Sequence, residues 1–255
     1  MTDVGATTVE QLLFGADPEA ARQGLLAMAS TTAALHRCEP PPRGRRTWTV
    51  GTHGLDWSAV SLGVTALNLP SPAAAEQDVT EVLRELAVGS RFVHGDLRPN
   101  NAVIGTDGRC RLVDLEGASA QHLGVDACML RFPFAWYGRW AQLPTSVLME
   151  IQAMYQQEVQ LPPHVVTDAI AVGCVAMTIL RLERLPVIAD PEQSPEQRRR
   201  RLIQIVSTLD AAVHALNEAD RLTGLSSWME NLNRALRDRW DEARLEPPLF
   251  PAFAS

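Results

Sequence analysis

The residue types that could do chemistry cluster in one short stretch, around two aspartates and an asparagine: Asp96, Asn101 and Asp114. Between the last two lies Asp107-Gly108, a strong β-hairpin signal, flanked by short runs of apolar and β-branched residues. A two-residue turn there places Asn101 directly opposite Asp114, with Cβ atoms roughly 5 Å apart on one face of the ribbon. The spacing therefore predicts an amide oxygen and a carboxylate side by side.

Oxygen ligands at that separation suit a small, hard cation. Mg²⁺ binds oxygen at about 2.1 Å and usually keeps several water molecules, so that few protein ligands are needed. The hairpin therefore predicts a Mg²⁺ site at Asn101 and Asp114. Asp96 precedes Asn101 on a loop interrupted by Pro99, after the strand-like Arg91-Phe-Val93, and it can point into the same space.

The stretch resembles the signature of the aminoglycoside phosphotransferase and choline kinase family, which is built on the protein-kinase fold. The resemblance rests on His94-Gly95-Asp96, on Asn101 after it, and on Asp114-Leu115-Glu116. It implies that Asp96 accepts the proton of a substrate hydroxyl, while Asn101 and Asp114 hold Mg²⁺ on the phosphates of a nucleotide.

Three further residues are assigned supporting roles. His94 and Glu116 belong to the same motifs. Asp126 begins a helical segment where the family usually carries an aspartate that braces the catalytic loop through hydrogen bonds, and the resemblance implies that role here. Two positions depart from the family pattern: Arg98 stands where many members have a second histidine, and Asn100 replaces a small residue. Neither departure removes a catalytic atom.

An alternative interpretation is that the polar ends of the hairpin are only turn residues. Turn chemistry explains Asp107 and Gly108, but it does not explain Asp96 or Glu116. The catalytic interpretation is therefore preferred.

Composition limits the partners and the compartment. The 255 residues are 46% hydrophobic, which is enough for a large core. A net charge of −7 argues against nucleic acid and anionic membranes as partners, since both need a positive surface. Four scattered cysteines without a Cys-x-x-Cys pair fit reduced thiols in the cytoplasm. The N-terminus lacks a signal-peptide pattern, and the longest apolar run, 169–180, is shorter than a membrane span requires.

The rest of the chain predicts an α+β, mainly helical fold with one small central ribbon. Helical spacing of apolar residues and capping signals place the longer helices at 17–37, 73–88, 145–160, 164–184, 195–217 and 226–244. The first of these ends in Leu35-His36, and His36 is interpreted as a packed or capping histidine. The aromatic residues within 132–140 are interpreted as core, with a stacking surface for an aromatic or sugar substrate as the alternative.

The resemblance predicts a single domain over residues 1–255, similar to the C-terminal lobe of a kinase. Its parts are a hinge-like segment at 1–16, the catalytic loop and metal-binding hairpin at 91–119, and a helical subdomain at 145–244. The β-rich N-terminal lobe is expected to be absent. No Gly-x-Gly-x-x-Gly stretch is present, and all 23 basic residues are arginine, so that no lysine can pair with nucleotide phosphates or act as a nucleophilic amine.

The sequence supports three functional hypotheses. The first is a phosphotransferase of the aminoglycoside phosphotransferase type, which uses Mg²⁺ with ATP or GTP and a small hydroxylated acceptor. Its nucleotide contacts would be weak, or supplied by a homodimer mate or a partner chain. The second is a catalytically inactive kinase-like binding or regulatory module, and the third is a gene product shortened at its start. In each case we expect a cytoplasmic protein that binds neither nucleic acid nor membrane.

Overall fold

The computed structural model describes residues 7–40, 55–88, 91–131, 141–188, 190 and 192–254. Over these residues the protein is mostly helical, with short antiparallel strands, which fits the α+β, mainly helical class. The helices are α1 (Val9–Leu13), α2 (Pro18–Arg37), α3 (Trp57–Ala66), α4 (Glu76–Leu86), α5 (Gly124–Ala127), α6 (Thr145–Val159), α7 (Pro163–Leu182), α8 (Leu185–Ile188), α9 (Pro195–Ala219) and α10 (Thr223–Arg239). The strands are β1 (Thr7–Thr8), β2 (Arg91–Val93), β3 (Ala102–Ile104), β4 (Cys110–Leu112) and β5 (Ser119–Gln121). The predicted aromatic cluster at 132–140 lies outside the described residues.

Two compact units divide the chain, and neither is continuous in sequence. Unit 1 comprises residues 1–49, 89–166 and 248–255, and unit 2 comprises residues 50–88 and 167–247. All of the predicted site residues lie in unit 1. The single domain over residues 1–255 stays a prediction.

Unit 1 contains two small antiparallel sheets. One has the strand order β1-β3-β4, and the other pairs β2 with β5. In the second sheet Val93 lies opposite Ser119, so that the strand leading to His94 is bonded to the segment that follows Glu116. Residues 94–101, called the catalytic loop below, therefore connect the end of one sheet to the start of a strand in the other.

The β3–β4 hairpin does not have the predicted two-residue turn. A two-residue turn at 107–108 would place Ile104 opposite Arg111, but Ile104 lies opposite Cys110. The main-chain N–H of Gly108 donates to the Gly105 carbonyl at 2.9 Å, and Gly108 has a positive φ of 73°. This is the arrangement of a longer hairpin loop, in which a left-handed glycine follows the tight turn. The predicted register is therefore wrong by one residue.

Helix α2 begins and ends where the sequence predicts. Asp17 is its N-cap, and its carboxylate oxygen Oδ1 accepts hydrogen bonds from the main-chain N–H groups of Glu19 and Ala20, both at 3.0 Å. One face of α2 is buried and packs against α6 in unit 1. The buried face comprises Ala21, Gly24, Leu25, Met28, Ala29, Thr32, Ala33 and His36.

We expect Asp17→Ala to lower the free energy of unfolding by about 1 kcal/mol, because two N–H groups of the first turn of α2 lose their acceptor. Urea denaturation followed by circular dichroism measures this. The matched control is Glu246→Ala, which removes one exposed carboxylate outside any helix. Equal stabilities of the two variants would contradict the capping role.

The last residues are also part of unit 1. The main-chain N–H of Gln142 donates to the Pro248 carbonyl at 2.8 Å, and that of Phe250 donates back to the Gln142 carbonyl at 3.1 Å. Phe250 is fully buried and meets Phe14 edge to face, with ring centroids 5.5 Å apart. The end of the chain therefore packs into the core of this unit.

Unit 2 is built mainly on the pairing of α9 with α10. The side chain of Ser194 caps α9, as the sequence predicts, by accepting from the N–H of Gln197 at 3.3 Å. Helix α10 begins earlier than predicted and ends at Arg239, before a short 3₁₀ turn. In the same unit Arg221 pairs with Glu81, at 2.8 Å, and with Glu85.

Helix α7 corrects one expectation about membranes. Residues 163–182 form a helix that is long and apolar enough to cross a membrane, with a mean hydropathy of 1.9 over an 18-residue window. Of that window, 72% is buried within the protein. Length alone therefore does not exclude a span, but the burial is typical of a core helix.

Candidate active site

Asp96 is the one acidic residue of the catalytic loop, and its carboxylate is partly exposed. Its side chain is 38% exposed, and its Oδ1 forms an ion pair with Arg98 at 2.6 Å. Asn101 is almost fully buried, and its Nδ2 donates to the main-chain oxygen of Asp96 at 2.9 Å. The same Nδ2 lies 3.4 Å from Oδ2 of Asp96. The structure therefore brings these two predicted site residues together.

The amide of Asn101 is oriented by its neighbours. Asn101 closes a 3₁₀ turn that begins at Pro99, and its Oδ1 accepts from Nδ2 of Asn100 at 2.9 Å. A carbonyl oxygen has two lone pairs, so that this Oδ1 can accept one further contact. Asn100, one of the two departures from the family pattern, thus helps to fix the asparagine.

Asp114 does not lie directly opposite Asn101. The residue paired with Asn101 is Val113, whose N–H donates to the Asn101 carbonyl at 2.9 Å. Because a shift of one residue exchanges the two faces of a strand, the predicted face-to-face pair is wrong. Asp114 instead has a left-handed backbone, with φ 62° and ψ 52°, and is exposed.

No hydrogen bond among the described residues links Asp114 to Asp96 or Asn101. Glu116 follows in a short 3₁₀ turn and is also exposed. The described ranges contain no group of three or more histidine, cysteine, aspartate or glutamate side chains arranged to hold a metal ion. Asp114 and Glu116 therefore lie at the surface, each with a solvated carboxylate.

His94 connects the catalytic loop to the end of the hairpin. It is fully buried, and its Nε2 lies 2.8 Å from the carbonyl oxygen of Val113. Its Nδ1 accepts from the main-chain N–H of Asp96 at 3.3 Å. Since a carbonyl only accepts and an N–H only donates, the ring carries its proton on Nε2. His94 thus links the residue before Asp114 to the backbone of Asp96.

Gly95 allows the loop to pass close to the chain that follows Asp114. Its φ is +80°, a conformation that residues with a Cβ rarely adopt. A Cβ on Gly95 would overlap the carbonyl oxygen of Gly117. Glycine is therefore required here by backbone conformation and by space.

Asp126 binds the start of the catalytic loop. Its Oδ2 accepts from the N–H of His94 at 2.6 Å, and its Oδ1 accepts from the N–H of Gly95 at 3.0 Å. Its side chain is fully buried. These are contacts of the kind that the sequence interpretation assigned to Asp126. Two main-chain donors immediately before Asp96 are thus held by one carboxylate.

Sequence reasoning missed two residues that contact this network. His36 lies 3.1 Å from Asp126, and Tyr155 lies 2.7 Å from His36. Both occupy positions in the buried faces of long helices. The sequence signal that could have found them is a ring with a polar atom at a core position of each helix. A buried polar atom of this kind requires a hydrogen-bond partner.

These features define a mainly helical protein in which a half-exposed aspartate, Asp96, lies on a loop held by hydrogen bonds from the core. The profile of the Phosphotransferase enzyme family matches residues 1–161, and the chain belongs to this family. The family resemblance inferred from the sequence is thereby confirmed. A search of curated protein sequences gave no match.

Proposed function

We propose that the protein transfers a phosphoryl group from a Mg²⁺-bound nucleotide, ATP or GTP, to a hydroxyl group of a small molecule, as aminoglycoside phosphotransferases do. One observation carries the proposal. In a chain of the phosphotransferase family, the half-exposed carboxylate of Asp96 and the buried amide of Asn101 are held together on one loop. The proposal includes a kinase-like fold for the lobe that carries them.

Asp96 is the proposed general base. It accepts the proton of the acceptor hydroxyl while the acceptor oxygen bonds to the γ-phosphorus and the bond to the β–γ bridging oxygen breaks. The ion pair with Arg98 is made by Oδ1, whereas Oδ2, which lies 3.4 Å from Nδ2 of Asn101, keeps a second lone pair for the hydroxyl proton. Arg98 thus orients the base, and it adds a positive charge close to where phosphate charge develops.

Asn101 and Asp114 are the proposed metal ligands. The amide Oδ1 of Asn101 retains a free lone pair, and the solvated carboxylate of Asp114 is a hard oxygen donor, so that the donor set fits Mg²⁺. When bound, Mg²⁺ neutralises charge on the nucleotide phosphates. Glu116 is close in sequence to Asp114 and is proposed to support the same end of the site.

The partners and compartment are proposals of the same kind. Because the chain has no lysine, any side-chain cation that contacts the phosphates is an arginine or a protonated histidine of this chain, or a group of another chain. A homodimer mate or a partner chain is proposed to supply such contacts. A reducing cytoplasm is the proposed compartment, in keeping with four scattered cysteines that form no Cys-x-x-Cys pair in the sequence.

Isothermal titration with Mg-ATP and Mg-GTP tests the proposal. We expect binding by the wild-type chain in the millimolar range or tighter, and a loss of about tenfold or more in Asp114→Asn, because one charged oxygen ligand is removed. Asp107→Asn is the matched control. It is another exposed aspartate of the hairpin, ion-paired with Arg111 at 2.7 Å, and this guanidinium holds the pKa of Asp107 below its usual range.

Two results would contradict the proposed activity. Absence of binding of either nucleotide at millimolar concentration would remove the donor. Binding without turnover across a panel of hydroxylated acceptors, aminosugars included, would instead support the inactive binding module. Equal weakening by the two substitutions, Asp114→Asn and Asp107→Asn, would exclude Asp114 as a specific ligand.

A further inference from the structure

Asp126 needs partners outside its own helix to hold its orientation. Its helix, α5, has only four residues, and so short a helix is marginal without tertiary contacts. The two main-chain N–H groups that donate hydrogen bonds to its carboxylate belong to the catalytic loop, which contains a left-handed glycine. The direction of the carboxylate must therefore be set by the remaining contacts of Asp126.

Those contacts come from two long helices. His36, near the end of α2, places Nε2 3.1 Å from Oδ2 of Asp126, and Tyr155, in α6, places its hydroxyl 2.7 Å from Nδ1 of His36. The three side chains are fully buried. The two rings meet edge to face at 85°, with centroids 5.7 Å apart. Polar groups removed from water must satisfy one another, so the three side chains act as one hydrogen-bonded chain.

Only one arrangement of the hydrogen atoms satisfies the polar groups of all three side chains. If the Tyr155 hydroxyl accepted from His36, its own hydrogen would have no acceptor among the described residues. The hydroxyl therefore donates to Nδ1, and the ring proton is on Nε2, where it is donated to Asp126. Burial, together with the negative charge of Asp126, raises the pKa of Tyr155 above its usual value. Tyr155 is thus a permanent donor.

We propose that Tyr155 is a positioning residue for the catalytic loop, which acts through His36 and Asp126 on the main chain that carries Asp96. The hydroxyl of Tyr155 fixes the tautomer and ring plane of His36, and His36 directs the carboxylate to the N–H groups of His94 and Gly95. The link to catalysis rests on the proposed phosphoryl transfer. The link to loop geometry does not.

Tyr155→Phe tests the proposal, because it removes one oxygen and keeps the ring that packs on His36. We expect the amide resonances of His94 and Gly95 in the ligand-free full chain to shift, and their hydrogen exchange to accelerate about tenfold. For phosphoryl transfer we expect kcat to fall about three- to tenfold with little change in the nucleotide KM, since the base is displaced while the phosphate contacts remain.

The matched control is Thr178→Val, which also removes a buried hydroxyl. Thr178 is fully buried in unit 2, and its Oγ1 lies 2.8 Å from the Cys174 carbonyl and 3.0 Å from the Thr208 carbonyl. We expect a comparable loss of stability with unchanged loop amides and unchanged kcat. If the loop amide resonances in Tyr155→Phe are as little changed as those in Thr178→Val, the Tyr155 hydroxyl contributes only to stability and the proposal is overturned.

A second pair of variants separates positioning from packing at His36. His36→Gln retains an amide donor that can reach Asp126, whereas His36→Leu retains volume without a donor. We expect His36→Gln to keep the loop amide shifts closer to wild type than His36→Leu. Equal effects would overturn the role of the donor. The amide spectra need neither nucleotide nor acceptor, so they test the positioning role even if the wild-type chain proves to have no transfer activity.

Discussion

Replacing Gly95 with alanine is expected to lower the free energy of unfolding by about 2–5 kcal/mol. The left-handed backbone costs a residue with a Cβ about 1–2 kcal/mol, and forcing an extra methyl group into a packed site costs about 1–3 kcal/mol more. Both terms apply, because Gly95 has φ +80° and its added Cβ would overlap the Gly117 carbonyl oxygen. The relief of that overlap requires the two segments to separate, which breaks the contact of the loop with the chain after Asp114.

Gly108 offers a control that isolates the steric term. It also has a positive φ, +73°, but an added Cβ meets nothing within 4 Å. Gly108→Ala is therefore expected to cost only about 1–2 kcal/mol. Urea denaturation of the two variants gives the difference. If Gly95→Ala is no more destabilising than Gly108→Ala, the close approach of the loop to Gly117 is not present in solution.

The second large effect is expected at the proposed base. Asp96→Asn keeps the shape of the side chain and one carbonyl oxygen for Arg98, but it removes the group that accepts the hydroxyl proton. General-base catalysis contributes about 10²–10⁴-fold to rate, and we expect kcat for phosphoryl transfer to fall by that factor. Binding of Mg-nucleotide should persist, since the proposed metal ligands are other residues.

Initial rates of nucleoside diphosphate release, with an acceptor that supports turnover, measure this effect. Asp107→Asn serves again as the control, because it removes one ion-paired carboxylate from the hairpin and leaves the loop intact. Its rate should stay near that of wild type. Retention of more than about a tenth of the rate in Asp96→Asn would contradict the assignment of Asp96 as the base.

Local signals predicted the helices well. Asp17-Pro18 and Ser194-Pro195 mark the starts of α2 and α9, since proline at the first helical position after a capping side chain satisfies the first turn without tertiary help. Asp96 and Asn101 also lie together, as the motif spacing predicts, because only four residues, one of them a proline, separate them and leave the loop little freedom.

The hairpin register was harder to predict, because Asp-Gly fits two different loops. Gly108 supplies a left-handed residue in either case, and the choice between them depends on where the preceding tight turn begins. The structure begins it at Gly105. One residue of difference was enough to turn the predicted opposition of Asn101 and Asp114 into an offset pair.

The buried chain from Tyr155 to Asp126 was beyond local reasoning. His36 and Tyr155 each occupy a core position of a helix, where sequence periodicity predicts only burial. Their contact joins residues that are 119 positions apart, and nothing in either segment specifies the partner. Only the packing of α2 against α6 decides which polar groups meet.

The interrupted make-up of unit 1 has a consequence for biosynthesis. Its three segments are separated by all of unit 2, and Phe250 in the last segment fills the core beside Phe14. Nascent chains leave the ribosome from the N-terminus, so unit 1, which holds the catalytic loop, lacks this part of its core until residues 248–255 have been synthesised. Until then the exposed apolar surface of unit 1 must be shielded from aggregation by chaperones or by other segments of the same nascent chain.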